Sequence, residues 1–465
     1  MKSLICLNFI CWFVLFYQMP LVGQVETVGL GDTMPLKLTK RPLIAASEIL
    51  GTDILINRID ANIRNIFWAK VTPSVWKTNI KIGFQSDYDH FSTNWLGHPT
   101  HGSFFYNAAR SNGFSYWQSI PFTMGGSLIW EYFGETYPPS IIDFYTTSLG
   151  GIYLGEMTHR FSNLIRNRAK NKLLKQTVSS VLNPVERLNS FFYKDNHNAS
   201  SIEYSSENPL VRGQFSFGGS YPFGLFKNNI WGTRGYLNLT LIYGDLFDQG
   251  KKTYHPFDFF VFKAWSNFSF KGKDTIFFNI SSHAPLLVKH INENAVISLS
   301  QHYDYLSSDI YKIGSLAITG DYTYRHNWDN QNRMIISLKA GVILFGSSKS
   351  DIVNFIYHPT DPEFQRDYVY GNGFTGEAEI VFRTQKYGKL TGNINRWLIY
   401  TDHDTKGIED LMLIIVDYNY PIWRQYSLGL QVNYYKRLAR YNGYADFLHI
   451  NNDYYEFKIL GGMAF

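Results

Sequence analysis

Charge is scarce in this chain. Only 17% of its 465 residues are Asp, Glu, Lys or Arg, where a soluble protein of this size carries about 25%. That shortage argues against a soluble enzyme wetted on every side. Cysteine is scarcer still. The two present, Cys6 and Cys11, both lie in an almost wholly apolar stretch, residues 4–17. Lys2 precedes that stretch and the turn-like Met19-Pro20 follows it, so residues 1–23 read as a cleaved signal peptide, too short to be a convincing membrane-crossing helix. Cys11 follows Asn8-Phe9-Ile10, a context without the small residues of a lipid-attachment site, so export without a lipoprotein anchor is expected. The mature chain then has no cysteine, which excludes a disulfide, a thiolate nucleophile and a cysteine-ligated metal. Phosphate-cradling glycine loops, zinc-finger spacings, His-Glu-x-x-His runs and Gly-x-Ser-x-Gly elbows are missing too. The net charge is +5. Its one dense block, Arg166-Asn167-Arg168-Ala169-Lys170-Asn171-Lys172, reads as a solvated helix end facing the periplasm or anionic headgroups, so no nucleic-acid partner is expected.

What the chain has in abundance is aromatic side chains, 33 Tyr and 36 Phe among them, and long stretches of period-two alternation. In the terminal run Tyr455, Phe457, Ile459, Met463 and Phe465 share one face, with Glu456 and Lys458 on the other. Leu338, Val342 and Leu344 likewise oppose Lys339 and Gly341, Phe374, Ala378 and Ile380 oppose Glu377 and Glu379, and Leu428, Leu430 and Val432 oppose Gln431 and Asn433. Such alternation gives each strand one oily and one wet face. Weaker matches at 211–219, 256–270, 274–283, 294–303, 388–400 and 408–420 bring the total to about twelve strands. A strand of this kind ending in an aromatic residue resembles the closing strand of a bacterial outer-membrane β-barrel, in which one face of every strand meets lipid and no free edge is tolerated. The expected fold is therefore mainly β: a transmembrane antiparallel β-barrel over residues 210–465, with a long external loop at 346–370. Aromatic girdles at two membrane interfaces account for the composition. A helical unit over residues 24–175, joined by a polar connector at 176–209, is expected to dock in or under the barrel.

In that N-terminal unit the period changes. Ala45, Ile49, Ile56, Ile59, Ile63 and Ile66 recur at helical spacing, which predicts an amphipathic helix from Ile44 to about Trp68 with those positions as its buried face. Residues 79–87 read as an extra strand. Helices are expected at about 101–112, 118–135 and 140–164, none with a clean twenty-residue apolar span. The dense polar chemistry lies here. Ser103, Asn107 and Arg110 project together, and Ser127, Glu131 and Glu135 form a second stripe at four-residue steps. Ser140 stands at an N-cap with Asp143 three residues on, a capping-box spacing. Asp143, Thr147, Gly150 and Gly151 share a stripe whose glycines permit close helix contact. Glu156 and His159 fall on the far side of the same helix.

Two acids on one stripe, two histidines three apart and an arginine suit acid/base work. Glu131 and Glu135 side by side would push one carboxyl pKa upward. In a hydrolysis, Glu131 or Glu135 would be the general base, oriented by Arg110, with His98 or His101 as the partner acid. Ser103, Asn107, Ser127, Asp143, Glu156, His159 and Arg160 are the expected ligand-binding groups. Metal binding by His98 and His101 with Glu131 or Glu135 is the weakest alternative, since Pro99 opposes a regular helix through the pair; no metal or cofactor is expected. The same groups also read as purely structural, with Arg110 locking onto Glu131 or Glu135.

The motifs His98-Pro99-Thr100-His101-Gly102, Tyr106-Asn107 with Arg110, Trp130-Glu131-Tyr132-Phe133-Gly134-Glu135, Ser140 with Asp143, and Gly155-Glu156 with His159-Arg160 resemble an uncharacterised bacterial family of exported outer-membrane barrels, a domain of unknown function. The resemblance implies an envelope location and no particular activity. The expected partners are outer-membrane lipids and, through the C-terminal strand, the barrel-assembly machinery. The expected role is binding or processing an amphiphilic envelope molecule at the polar helical site; any enzyme would be a hydrolase of a lipid or other envelope component. The alternative is a plugged barrel serving as transporter, channel or structural anchor.

Overall fold

The computed structural model describes residues 40–169, 171–192, 209–223, 233–249, 254–269, 276–308, 311–329, 331–350, 353, 366–401, 406–441 and 450–465. The expected signal peptide, residues 1–23, lies outside them. Two compact units result. One holds the described residues up to Asp87 and those from Leu96 to Phe192; the other combines Tyr88–Trp95 with everything after Asn208.

The second unit is a closed twelve-strand antiparallel barrel. Its strands are β1 (Val211–Phe223), β2 (Arg234–Tyr243), β3 (Phe260–Ser269), β4 (Ile276–Asn292), β5 (Ala295–Ser307), β6 (Lys312–Asn327), β7 (Arg333–Lys349), β8 (Tyr368–Thr384), β9 (Gly388–Thr401), β10 (Gly407–Trp423), β11 (Tyr426–Tyr441) and β12 (Ile450–Ala464). Each pairs with its sequence neighbours, and β1 closes on β12 with Phe217 opposite Gly461. All the strands expected from alternation are present. The expected long loop at 346–370 is shorter than the sequence implied, because β7 runs on to Lys349 and β8 starts at Tyr368, pairing Gly346 with Gly371.

The faces fall as the alternation requires. On β12 Ile459 is 54% exposed while its neighbour Lys458 is 1% exposed; on β7 Leu338 is 51% exposed and Lys339 7%. On these strands the apolar side chains point out and the charged ones point in. The interior is crossed by side chains from strands that are not neighbours. Lys263 of β3 lies 3.4 Å from Glu379 of β8. Asn267 of β3 donates to Glu456 of β12 at 3.2 Å, Gln214 of β1 to Asn419 of β10 at 3.2 Å, and the Trp397 indole of β9 to Asp304 of β5 at 3.1 Å. A buried apolar cluster including Leu306, Ile313, Ile343, Trp397, Leu411 and Tyr435 fills another level.

The segment Tyr88–Trp95 packs on the barrel's outside. Tyr303 and Tyr305 share the face of the exposed Ile297 and Leu299, yet both are buried. Phe91 stacks on Tyr305 at 5.1 Å and Trp95 on Phe345 at 5.8 Å. Asn94 donates to the Tyr368 and Tyr370 hydroxyls at 3.0 and 2.7 Å, and Tyr303 donates to the Trp95 carbonyl.

The first unit is helical. Among the described residues it contains α1 (Pro42–Arg58), α2 (Pro73–Ile82), α3 (His98–Ser111), α4 (Tyr116–Phe133), α5 (Ile141–Tyr145), α6 (Gly151–Arg168), α7 (Lys172–Leu182) and α8 (Pro184–Phe192). π-helical turns at Ile59–Ile63 and Thr146–Gly150 extend α1 and join α5 to α6. Four expectations change. Residues 79–87 are no strand: Thr72 caps a helix that Pro73 starts, and only Gln85 forms a bridge, with Ser140. Pro99 does not stop a helix at the histidine pair, because it occupies the first turn, where a missing N–H breaks no bond. The stretch read as polar connector carries α7 and α8. The buried face of α1 is the most informative change. Ala45 and Ile49 are buried as expected, but the inward line continues through Asp53, Asn57 and Asp60, while Ile59 and Ile63 face outward.

Candidate functional site

The helical unit is organised by one close approach. A Cβ on Gly102 would stand 1.8 Å from the Thr147 carbonyl oxygen, and one on Gly151 would stand 2.5 Å from the Gly102 carbonyl carbon. Only glycines at these two positions let α3 lie directly on the π-helical turn and the start of α6. That contact brings His98, in the first turn of α3, alongside Thr147 and Asp143.

His98 meets the Thr147 hydroxyl through Nδ1 at 3.1 Å, and its Nε2 lies 3.4 Å from Asp143 Oδ1. Ser140 caps α5 as expected, its Oγ accepting from the Asp143 N–H at 3.1 Å. The reciprocal half of the box comes from elsewhere: the Ser140 N–H donates to Glu131 Oε2 on α4 at 2.8 Å. Glu131 thus takes the place the cap leaves for Asp143, and the Asp143 carboxylate turns to His98. An imidazole nitrogen and one oxygen from each of Glu131 and Asp143 lie within 4.8 Å of one another, all three side chains buried. It is the only such gathering of three among the described residues. Asp87 approaches from the other side, its Oδ2 3.4 Å from the Ser140 hydroxyl. Burial pushes the His98 imidazole down to about 4, against the pull of Asp87, so the ring is neutral at physiological pH.

The other candidates go elsewhere. His101 lies 3.2 Å from Asp53 of α1 and packs against Phe105 and the edge of Trp130, both with ring centroids 4.6 Å away. Burial drives this pair apart in pKa: Asp53 is pushed up to about 8 and His101 down to about 3. At neutral pH it is a carboxylic acid against a neutral ring, not an ion pair. Glu135 lies beyond the end of α4 and accepts from the Trp130 indole at 2.8 Å. It forms no stripe with Glu131, so the expected carboxylate pair is absent. Arg110 binds neither glutamate. Its Nε lies 2.8 Å from Glu156, which also takes Arg160 at 2.7 Å and the Tyr106 hydroxyl at 2.9 Å. Burial alone would raise the Glu156 carboxyl, but the two guanidiniums and these hydrogen bonds hold it below the usual range.

His159 sits between the Asn163 and Asn183 amides at 3.2 and 3.3 Å. Burial, reinforced by Arg110, keeps its ring uncharged. Ser103 donates to the Thr100 carbonyl within its own helix at 2.6 Å, and Asn107 donates to Thr158 at 3.1 Å, tying α3 to α6. Ser127 is wholly buried on the inner face of α4. The expected set therefore divides: His98, Glu131 and Asp143 converge, Arg110, Glu156 and Arg160 form a second network with His159 beside it, and His101 and Glu135 each stand apart from both. Asp53 and Asp87 were missed. Asp53 had a signal: it follows Ala45 and Ile49 at four-residue steps on the core line of α1. Asp87 had none, since it lies in irregular chain.

Residues 83–185 match the model of a family described as Domain of unknown function (DUF3943), a span that contains the motif-bearing stretch 94–160. No curated protein matches the chain. Among solved structures, the anion-selective porin from Comamonas acidovorans is 10% identical, aligned over 56% of this chain and 99% of its own, with a TM-score of 0.25. OmpT, an outer membrane protein of Vibrio cholerae in its trimer form, is 7% identical over 56% and 99%, with a TM-score of 0.21. The outer membrane channel DcaP of Acinetobacter baumannii is 8% identical over 56% and 97%, with a TM-score of 0.25. At these scores the likeness carries nothing about function.

Proposed function

We propose that the chain is exported to the bacterial outer membrane, crosses it as the twelve-strand barrel, and uses its helical unit to bind an amphiphilic envelope molecule. One observation carries the ligand class: α1, α4 and α8 each expose an apolar face while burying polar side chains. On α4 Ser119, Thr123, Ser127 and Glu131, at four-residue steps, are buried, while Trp117, Met124 and Leu128 are exposed. On α1 Asp53 and Asn57 are buried, while Ile54 is 62% exposed beside Leu55. Phe191 and Phe192 project from α8 in the same way. Water disfavours such an arrangement, and hydrocarbon chains suit it. No described helix is long and apolar enough to cross a membrane, so the apolar surface meets acyl chains from the side.

Binding is a better reading than hydrolysis, because the acid/base set is not assembled: only His98 and Glu131 of its five residues converge, while Arg110, which would orient the base, is taken by Glu156. The filled barrel interior favours one secondary role, that of a structural anchor. Export through a signal peptide and insertion by the barrel-assembly machinery through β12 belong to this reading. The test uses detergent-purified, heat-modifiable protein and a fluorescent lysophospholipid. Saturable binding is expected, weakened at least about tenfold by the double substitution Ile54→Glu and Leu55→Glu, which removes apolar contact area. A folded protein that takes up no lipid, or a double variant that binds as well as the parent, would reject the proposal.

A further inference from the structure

We infer that His98, Glu131 and Asp143 bind one divalent transition-metal ion. The inference stands on the convergence of these three side chains and is independent of the lipid reading. An imidazole nitrogen with two carboxylate oxygens is a donor set that zinc, manganese and iron all accept. The 3.4 Å between His98 Nε2 and Asp143 Oδ1 is close to the separation of two ligands on a tetrahedral ion with bonds of about 2.0–2.2 Å.

The surroundings fit the same purpose. A metal-bound histidine commonly anchors its second ring nitrogen on a fixed polar group, which sets ring orientation and tautomer. Here Thr147 Oγ1 meets Nδ1 at 3.1 Å, leaving Nε2 toward the carboxylates. Glu131 is itself held by the Ser140 N–H, and Asp143 is fixed by the cap that Ser140 makes to its backbone. Each ligand is thus oriented by a second contact, and the ligands come from three separate elements, α3, α4 and α5. Three protein ligands leave at least one position on the ion for water or a ligand oxygen. No cysteine is present among the described residues.

The test uses the full chain, tag-free, folded in detergent, stripped with chelator and titrated with Zn²⁺ alone. One ion per chain is expected. Asp143→Asn and Glu131→Gln should each abolish stoichiometric binding, Thr147→Val should weaken it about 10- to 100-fold, and Glu135→Gln should leave it unchanged. Co²⁺ substitution supplies a readout that does not depend on the ligand variants folding: X-ray absorption should show one imidazole with oxygen donors. Folded parent protein that binds neither Zn²⁺ nor Co²⁺, binding that survives in Asp143→Asn, or a Co²⁺ shell of several imidazoles would each overturn the site.

Discussion

At the scale of the residue, the helical unit depends on atoms that are missing. Gly102 has no side chain because the Thr147 carbonyl occupies the space one would need. Gly102→Ala must separate α3 from the turn it lies on, at a cost of about 3 kcal/mol. Gly125 makes the control: it is also inside a helix, but a Cβ there meets nothing within 4 Å. Gly125→Ala should therefore stabilise by about 0.5–1 kcal/mol, through helix propensity alone. Thermal melting followed at the helical circular-dichroism band should move the two midpoints in opposite directions. Equal shifts would show that the close approach is not what holds these helices. The glycines on the Asp143 stripe were legible as a contact surface, since glycine repeated along a helix face has few other uses. The side chains gathered there were not. Positions 98, 131 and 143 lie on different elements, and no local rule relates a histidine before a proline to a cap two helices later.

At the scale of the element, the twelve strands could be read because alternation survives in a barrel whose outside is apolar and whose inside is wet. The same logic misread half of α1. Apolar periodicity marks the core only when water is outside, so Ile59 and Ile63 were assigned inward while Asp53 and Asn57 occupy the interior. Asp53 and the half-buried Glu48 give α1 a pH signature. Asp53, raised from 3.8 to about 8, and Glu48, raised from 4.5 to about 7, both by burial, stay protonated in the folded state. The stability they contribute is present at low pH and lost as pH climbs through their folded values. His98 and His101, both lowered from 6.5 by burial, act in the opposite sense, but only below pH 6.5. Between pH 6.5 and 8 the two acids act unopposed by these histidines. The helical midpoint should fall over that range by the equivalent of about 2–3 kcal/mol. Asp53→Asn should flatten most of the slope. A midpoint that rises from pH 6.5 to 8 would contradict the assignment.

At the scale of the whole molecule, the filled interior governs what the barrel can pass. Side chains bridge β3 to β8 and β9 to β5, and aliphatic and aromatic residues close a further level. Reconstituted in a planar bilayer, the protein should give no sustained open-channel conductance. Regular, voltage-independent steps of a general porin would show that the interior opens. The segment Tyr88–Trp95 has a different effect on the surroundings. It lies over the outward tyrosines of β5 and β8, where the neighbouring outward positions Ile297 and Leu299 are bare. The annulus of lipid around this cylinder would therefore be incomplete. On one arc of the perimeter the rings of Phe91 and Trp95 would replace the acyl tails, giving the protein a fixed dry seam there instead of a fluid boundary.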